Sequence, residues 1–479
     1  MLRFDTDFAM LIGGELVHGA EQFAVVNPAT KQVLSKAPDA TPAELDAAIA
    51  TARRALPAWA ATSIDARRAV LNAMAQTIIA HSDDLMRLLT AEQGKPHADA
   101  QAEVMAAAHW LIGAATLNLP VVINEDSGIR YSETRRIPVG VVAAIPPWNY
   151  PLLLAMFKLG PALLAGNVVV LKPSPFTPLT TLKIGELVKD IVPAGVLNIV
   201  SGSDRLGPWI TSHPGIDKIS FTGSTATGKR VMESAAHGLK RITLELGGND
   251  PAIILPDADP EHLAEQIFWA AFGNNGQICI ASKRVYIHAG IYDRLRDAIV
   301  AYAKTVKIGD GAEPGTQLGP INNRPQYDRV IDLIRDAQDQ GYTFLTGGLP
   351  TDTPGYFVPI TILDNPPESS RIVQEEQFGP IMPLLKYHTV DDAIARANAC
   401  EYGLGASVWG ADEAAAMAVA GRIQSGTVWV NETRHLSPLA AFGGMKQSGL
   451  GVAGGEEGLL EFTQAQTLVR KKRQDVDID

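Results

Sequence analysis

From Gly140 onward, short apolar runs alternate with segments of helical spacing. Val141 to Ile145 reads as extended, Pro151 to Ala165 as helical, Asn167 to Leu171 as extended and Leu179 to Val192 as helical. Extended runs at Leu197 to Val200 and Ile216 to Phe221 follow, then a helix over Gly228 to Ala236. β-branched runs between helices predict βαβ units and a parallel sheet covered on both faces. The pattern resumes after Gly247-Gly248 with Ala252 to Leu255, Glu261 to Phe272, Arg284 to His288 and Tyr292 to Val306. That predicts a second α/β domain, joined to the first near the glycines. The apolar tract from Val139 to Leu171 exceeds bilayer-spanning length, but it contains Pro146, Pro147, Asn149, Pro151, Lys158 and Pro161. It therefore reads as buried strand, loop, helix and strand.

The preceding third is helix-rich. Thr41-Pro42-Ala43-Glu44 has capping-box spacing with proline at the first helical position, and helical patterns follow from Asp65 to Glu92 and His97 to Leu117. Val121 to Ala143 reads as extended strands around Asp126-Ser127-Gly128.

A chain of 479 residues with 46 % hydrophobic and 19 % charged residues has the balance of a globular protein of two or three domains. Its net charge of −11 argues against a partner held through nucleic-acid phosphates. The basic run Arg470-Lys471-Lys472-Arg473 reads as a solvated tail or an intersubunit contact ahead of a recognition patch. Two cysteines form no disulfide framework, and the acidic N-terminus lacks a signal-peptide pattern, so the cytoplasm is expected. The ten histidines show neither HxxxH spacing nor a Cys/His cluster, and no metal site is indicated.

Cys279 sits in Gly276-Gln277-Ile278-Cys279-Ile280-Ala281-Ser282, and Glu245 lies upstream in Leu244-Glu245-Leu246-Gly247-Gly248-Asn249. A cysteine between isoleucines fits a small buried hydrophobe; a thiol and a carboxyl sharing a pocket fit nucleophile and base. Phe221 to Gly228 joins a strand to a helix through Gly223, where backbone can approach a phosphate. Lys172 ends a strand at the same sheet edge, as a nucleotide contact or a surface lysine. Pro147-Trp148-Asn149-Tyr150-Pro151 is a rigid turn whose asparagine amide could donate to a developing oxyanion. Glu375-Glu376-Gln377-Phe378 offers a carboxylate and an aromatic ring, a plausible clamp for a ribose and a flat ring. Phe442 to Gly449 is a glycine-rich loop that could close over a pocket.

Together and in this order, these motifs resemble the aldehyde dehydrogenase superfamily across almost the whole chain. The resemblance implies an α/β fold of two Rossmann-like domains, cofactor and catalytic, plus a small β oligomerisation element. The implied division is 1–120 with 144–247 for the dinucleotide, 248–435 for catalysis, and 121–143 with 460–479 as hairpin and tail. It implies that Cys279 is the nucleophile, Glu245 the general base and Asn149 the oxyanion donor. The cofactor residues would be Ile145, Trp148, Lys172, Ser174, Gly223, Ser224, Gly228, Leu246, Glu376 and Phe378. The resemblance also implies that the hairpin pairs with a neighbouring subunit's C-terminal tail, in a homodimer or homotetramer.

The implied reaction oxidises an aldehyde to its carboxylic acid with NAD, or with NADP. Where NAD-specific relatives often place a glutamate three residues after the ribose lysine, this chain has Pro175; no arginine stands nearby for a 2′-phosphate. Gly451-Val452-Ala453-Gly454 replaces the Gly-Arg-Glu often seen in relatives, removing a carboxylate that can assist the base. Coenzyme A-acylating members lack a base at Glu245, so its presence favours hydrolysis over acyl transfer. A catalytically silent dinucleotide-binding role is the other alternative, opposed by Cys279, Glu245 and Asn149 standing together. Leu154, Phe157, Ile278, Ile280 and Phe442 would line an apolar substrate pocket. Arg434 and His435 either meet a substrate carboxylate at its entrance or lie on a mobile loop.

Overall fold

A computed structural model of the chain describes residues 4–351 and 353–472. The alternation from Gly140 becomes an eight-stranded sheet whose parallel centre runs Leu197–Ile199, Val168–Leu171, Val141–Ile145, Lys218–Thr222 and Arg241–Glu245. Val168, Val169, Val170 and Leu171 are all at 0 % exposure. Successive strand residues point to opposite faces, so helices cover both sides. Antiparallel strands close the edges: Met10–Ile12 with Glu15–Val17 on one side, Gly449–Leu450 on the other.

The second sheet is parallel except at its Phe344–Thr346 edge and runs Thr361–Asp364, Ile381–Tyr387, Ser282–His288, Asp250–Ile254, Gly405–Trp409, Thr427–Val430. The parallel part of each sheet begins in its middle and builds to one side before crossing to the other. In the first sheet that reversal falls between Val141–Ile145 and Lys218–Thr222, beside whose C-terminal ends doubly wound folds bind ligands.

The capping box starts helix Pro42–Ala60. The run expected from 65 to 92 is two helices, Ile64–Ala80 and Ser82–Gln93, because His81 takes non-helical backbone angles. A short helix, Leu206–Ser212, has no counterpart in the sequence reading.

The hairpin Val122–Asp126 and Arg130–Pro138 corrects two expectations. Its third strand is the chain's own Thr463–Lys471, registered from Thr463 opposite Pro138 to Lys471 opposite Arg130, rather than a neighbour's tail. It also ends at Pro138, short of 143, because Val141–Ile145 lies in the middle of the first sheet. Gly140 makes that exit with φ +136, and a side chain there would meet the Asp217 carboxylate at 2.0 Å. The tail call over 473–479, and Arg473 of the basic run, lie outside the described residues.

Between helices Ser82–Gln93 and His97–Ala115 the chain buries a charge. The Lys95 ammonium meets Glu103 Oε2 at 2.5 Å, and neither side chain is exposed. Glu103 Oε1 accepts the backbone N–H groups of Leu152 and Leu153, capping helix Pro151–Leu164, while Lys95 Nζ also donates to the Asn149 carbonyl at 2.9 Å. Removing one member of such a pair strands the other charge. We predict that Lys95→Met lowers stability by about 3–5 kcal/mol. Urea unfolding should show the Lys95→Met/Glu103→Leu double variant losing less than the sum of its singles; simple additivity would show the pair uncoupled.

Candidate functional site

A cavity of about 350 Å³ opens at the reversal point of the first sheet. Strand Val141–Ile145 delivers Pro147, Trp148 and Asn149 to it, strand Lys218–Thr222 delivers Thr222 to Ala226, and Leu246 and Gly247 follow strand Arg241–Glu245. The other wall comes from the second sheet and its loops: Cys279, Gln326, Arg329, Glu376, Phe378 and Tyr402. Trp148 and Phe378 meet edge to face at 5.3 Å, bridging the two walls.

Cys279 is half-buried on a loop in which Asn274, Asn275 and Gly276 take left-handed angles in succession. At Gly276 only glycine fits, since a side chain would strike the Gly379 carbonyl at 2.1 Å. Burial pushes the thiol up to about 12, with the Lys283 ammonium opposing. Lys283 Nζ donates to the Cys279 carbonyl at 2.7 Å and pairs with Glu376 Oε1 at 3.3 Å, and Glu376 also accepts Gly248 N–H. The nucleophile loop and the expected ribose carboxylate thus share one buried cation.

Asn149 is 3 % exposed, and its amide donates to the Gln277 carbonyl at 2.8 Å. Its own carbonyl accepts from Lys95 and from Asn274 Nδ2. These bonds hold the amide beside the cysteine loop and leave its second N–H for a ligand. Glu245 ends its strand opposite Thr222, whose hydroxyl donates to Oε2 at 3.4 Å. Oε1 is buried without a partner, and burial raises the carboxyl against the pull of Lys158. Lys158 reaches Thr222 at 2.7 Å and Ser220 at 3.3 Å, and burial pushes its ammonium down to about 8. A carboxyl so raised, with one oxygen free, suits proton abstraction.

The Ser224 hydroxyl caps helix Thr225–Ala236 by accepting from Thr227 N–H, and Thr225 and Ala226 line the cavity, so the helix's positive end faces it. Gly228 stands against Leu246, where a side chain would be 2.4 Å from Cδ2. Ile145, Lys172, Ser174 and Gly228 do not line the cavity, although they share the sheet ends around it. Lys172 is buried, donates to the Pro173 carbonyl at 3.2 Å and is pushed down to about 8 by burial, with Asp204 and Asp39 opposing. Phe157, Ile278, Ile280 and Phe442 gather instead with Trp110 and Trp429 in a buried cluster against which Cys279 and Leu154 pack. Cys400 is buried elsewhere.

Lys158, Lys283 and the Lys95–Glu103 pair were missed in the sequence reading. A lone lysine inside the apolar run Pro151 to Ala165 was the available signal for Lys158.

The model of the aldehyde dehydrogenase family matches residues 16–468. A probable aldehyde dehydrogenase from Pseudomonas sp is 43 % identical over 476 residues, covering 98 % of this chain and 96 % of that one. An aldehyde dehydrogenase from Bacillus cereus, solved as an NAD+ complex, superposes with a TM-score of 0.95 at 36 % identity, covering 98 % of both chains. An Escherichia coli NADP-dependent enzyme does so at 0.93 and 36 %, covering 97 % of this chain and 98 % of that one.

Beneath the cysteine loop, Asp250 is wholly buried where Gly248 and Gly405 leave room for its oxygens. Burial pushes its carboxyl up to about 7, against the pull of Lys283. The folded chain therefore holds this proton between about pH 4 and pH 7, where the unfolded chain has released it, and stability from this group falls as pH rises through that window. Asp250→Asn, neutral throughout, should gain urea midpoint relative to wild type between pH 5 and pH 8. A difference that does not change with pH would show that Asp250 is ionised in the folded chain.

Proposed function

Because the chain belongs to the aldehyde dehydrogenase family, we propose that the cavity, lined by Cys279 and Asn149 with Glu245 buried behind Thr222, performs that family's oxidation with these three residues in the working roles. The protein is an NAD(P)-dependent oxidoreductase that converts an aldehyde to its carboxylic acid. The observation that carries the assignment is the meeting of a thiol, a fixed amide and a raised carboxyl beside a cavity that ends at a helix N-terminus.

The Cys279 sulfur attacks the carbonyl carbon, and its proton leaves to solvent or to a basic group. The oxygen then carries the negative charge, which the Asn149 amide and the Cys279 N–H stabilise. A bound nicotinamide dinucleotide supplies the hydride acceptor. Collapse of the oxyanion releases hydride from carbon and leaves a thioester on Cys279. Glu245 takes a proton from water, whose oxygen attacks the thioester carbon; the C–S bond breaks and the thiol is reprotonated.

The helix end at Thr225 suits a pyrophosphate, Glu376 a ribose, and Trp148 with Phe378 a flat ring. Ile145, Lys172, Ser174, Gly223, Ser224, Gly228 and Leu246 complete the proposed cofactor set. Asp39 and Asp204 are the charges acting on Lys172, which disfavours a 2′-phosphate there and favours NAD over NADP.

We assign 1–120 and 139–247 to cofactor binding and 248–435 to catalysis. Val122, Ile123 and Val469 are exposed on the three-stranded sheet and Ile129 at its turn, apolar exposure that supports a homo-oligomer, dimer or tetramer, built through it. Among the described residues no helix is long and apolar enough to cross a membrane. A cytoplasmic location suits the two free thiols.

Growth of absorbance at 340 nm with NAD and an aldehyde tests the reading, with NADP and coenzyme A as further arms. Asn149→Ala should lower kcat by about a hundredfold or more. Glu245→Gln should give a burst of reduced cofactor followed by slow turnover. Wild-type steady-state rates in either variant would remove that residue from its role.

A further inference from the structure

The cluster packed against Cys279 is built of flat rings. Trp110 and Phe157 stack at 4.1 Å with 25° between planes, and Phe157 meets Phe442 edge to face at 6.3 Å. Tyr150, Leu436, Ile278 and Ile280 join them. The loop after strand Thr427–Val430 lies over this cluster. Trp429 Nε1 donates to the His435 carbonyl at 2.9 Å, and Pro438 presses on Gly113, where a side chain would be 2.2 Å from Cγ.

Arg434 is the charged residue that this loop turns inward. Its backbone is left-handed at φ +63, a conformation that costs a non-glycine residue and that surrounding contacts must hold. Its guanidinium occupies the space Gly273 leaves open: a side chain at 273 would lie 2.0 Å from Nη1 and 3.4 Å from Ile278 Cδ1. Arginine thus stands against the residue that precedes the nucleophile. Its Nε is buried with no hydrogen-bond partner, a donor that costs free energy until it is satisfied.

Tyr150 packs against the same ring cluster as Cys279, and its phenol feels the charge of both Arg434 and the thiol. Asp99 is the other acid that feels Arg434, and burial raises its carboxyl toward the neutral form. The guanidinium thus presents an unmet donor beside the ring cluster.

We propose that Arg434, with the Tyr150 hydroxyl beside it, binds an anionic oxygen on the substrate, and that the substrate class is an aromatic aldehyde bearing a carboxylate or phenolate. The inference rests on the aldehyde oxidation proposed above and names what that site selects. The ring packs beside Leu154, on the side of the cluster that Leu154 and Cys279 share, its aldehyde carbon faces Cys279, and its anionic substituent points to the loop. An aliphatic semialdehyde would satisfy the arginine but leave the ring faces uncovered.

The test measures kcat and KM for benzaldehyde, the hydroxybenzaldehyde isomers, 3- and 4-carboxybenzaldehyde and succinate semialdehyde. Wild type should favour one or more of the anionic ring aldehydes over both benzaldehyde and the semialdehyde. Arg434→Met should lower the ratio of their kcat/KM to that of benzaldehyde by about 10- to 100-fold, mainly through KM, and Arg434→Lys should restore part of it. The hydroxy and carboxy arms distinguish phenolate from carboxylate. A ratio unchanged in Arg434→Met, or changed only because all substrates fall together, overturns the proposal. So does a wild type that prefers the semialdehyde. A wild type that oxidises no aldehyde at all overturns the parent reading as well, which separates the two failures.

Discussion

The Lys95–Glu103 pair is the constraint on which the site's geometry hangs. Each partner is buried and expensive without the other, and each spends its remaining hydrogen bonds on the turn that carries Asn149. Lys95 also lies 3.7 Å from the centre of the Tyr150 ring, so one ammonium fixes the oxyanion donor's carbonyl and the next residue's face. The helix-rich first part of the chain thereby sets the angle of a turn that belongs to the sheet. Gln277 extends the arrangement across the molecule, accepting from Asn149 and holding Asn322 by its side-chain oxygen.

Burial governs the rest of the chemistry. It opposes charge on Cys279, Glu245, Asp250 and Lys158 alike. Lys283 is the exception: it remains engaged with both the Cys279 carbonyl and Glu376, and stabilises whichever nearby group ionises. A thiol that is protonated at rest is protected from adventitious oxidation and becomes reactive only when its surroundings change.

The two sheets were legible in the sequence because their central strands are buried on both faces and so read as unbroken β-branched runs. The turn at Asn149 was legible for a different reason, since prolines on both sides leave few other conformations. Other features carried no local mark. Nothing at His81 announces a helix break of the kind glycine or proline would, and Gly140 hides inside one extended run although it divides a hairpin from a central strand. Lys283 reads as an ordinary charge beside Arg284; only the fold reveals that both are buried. The inward turn of Arg434 depends on space left by Gly273, far away in sequence, which no local pattern encodes.

The strand that carries Glu245 has its outer edge closed by Gly449–Leu450, with Glu245 opposite Gly449 and Leu246 N–H bonded to the Ser448 carbonyl. The closing strand is made about two hundred residues after the strand it seals. During synthesis the cysteine loop therefore leaves the ribosome well before the carboxyl that serves it is shielded from water. A nascent chain therefore cannot complete its first sheet until residues 449 and 450 have been made.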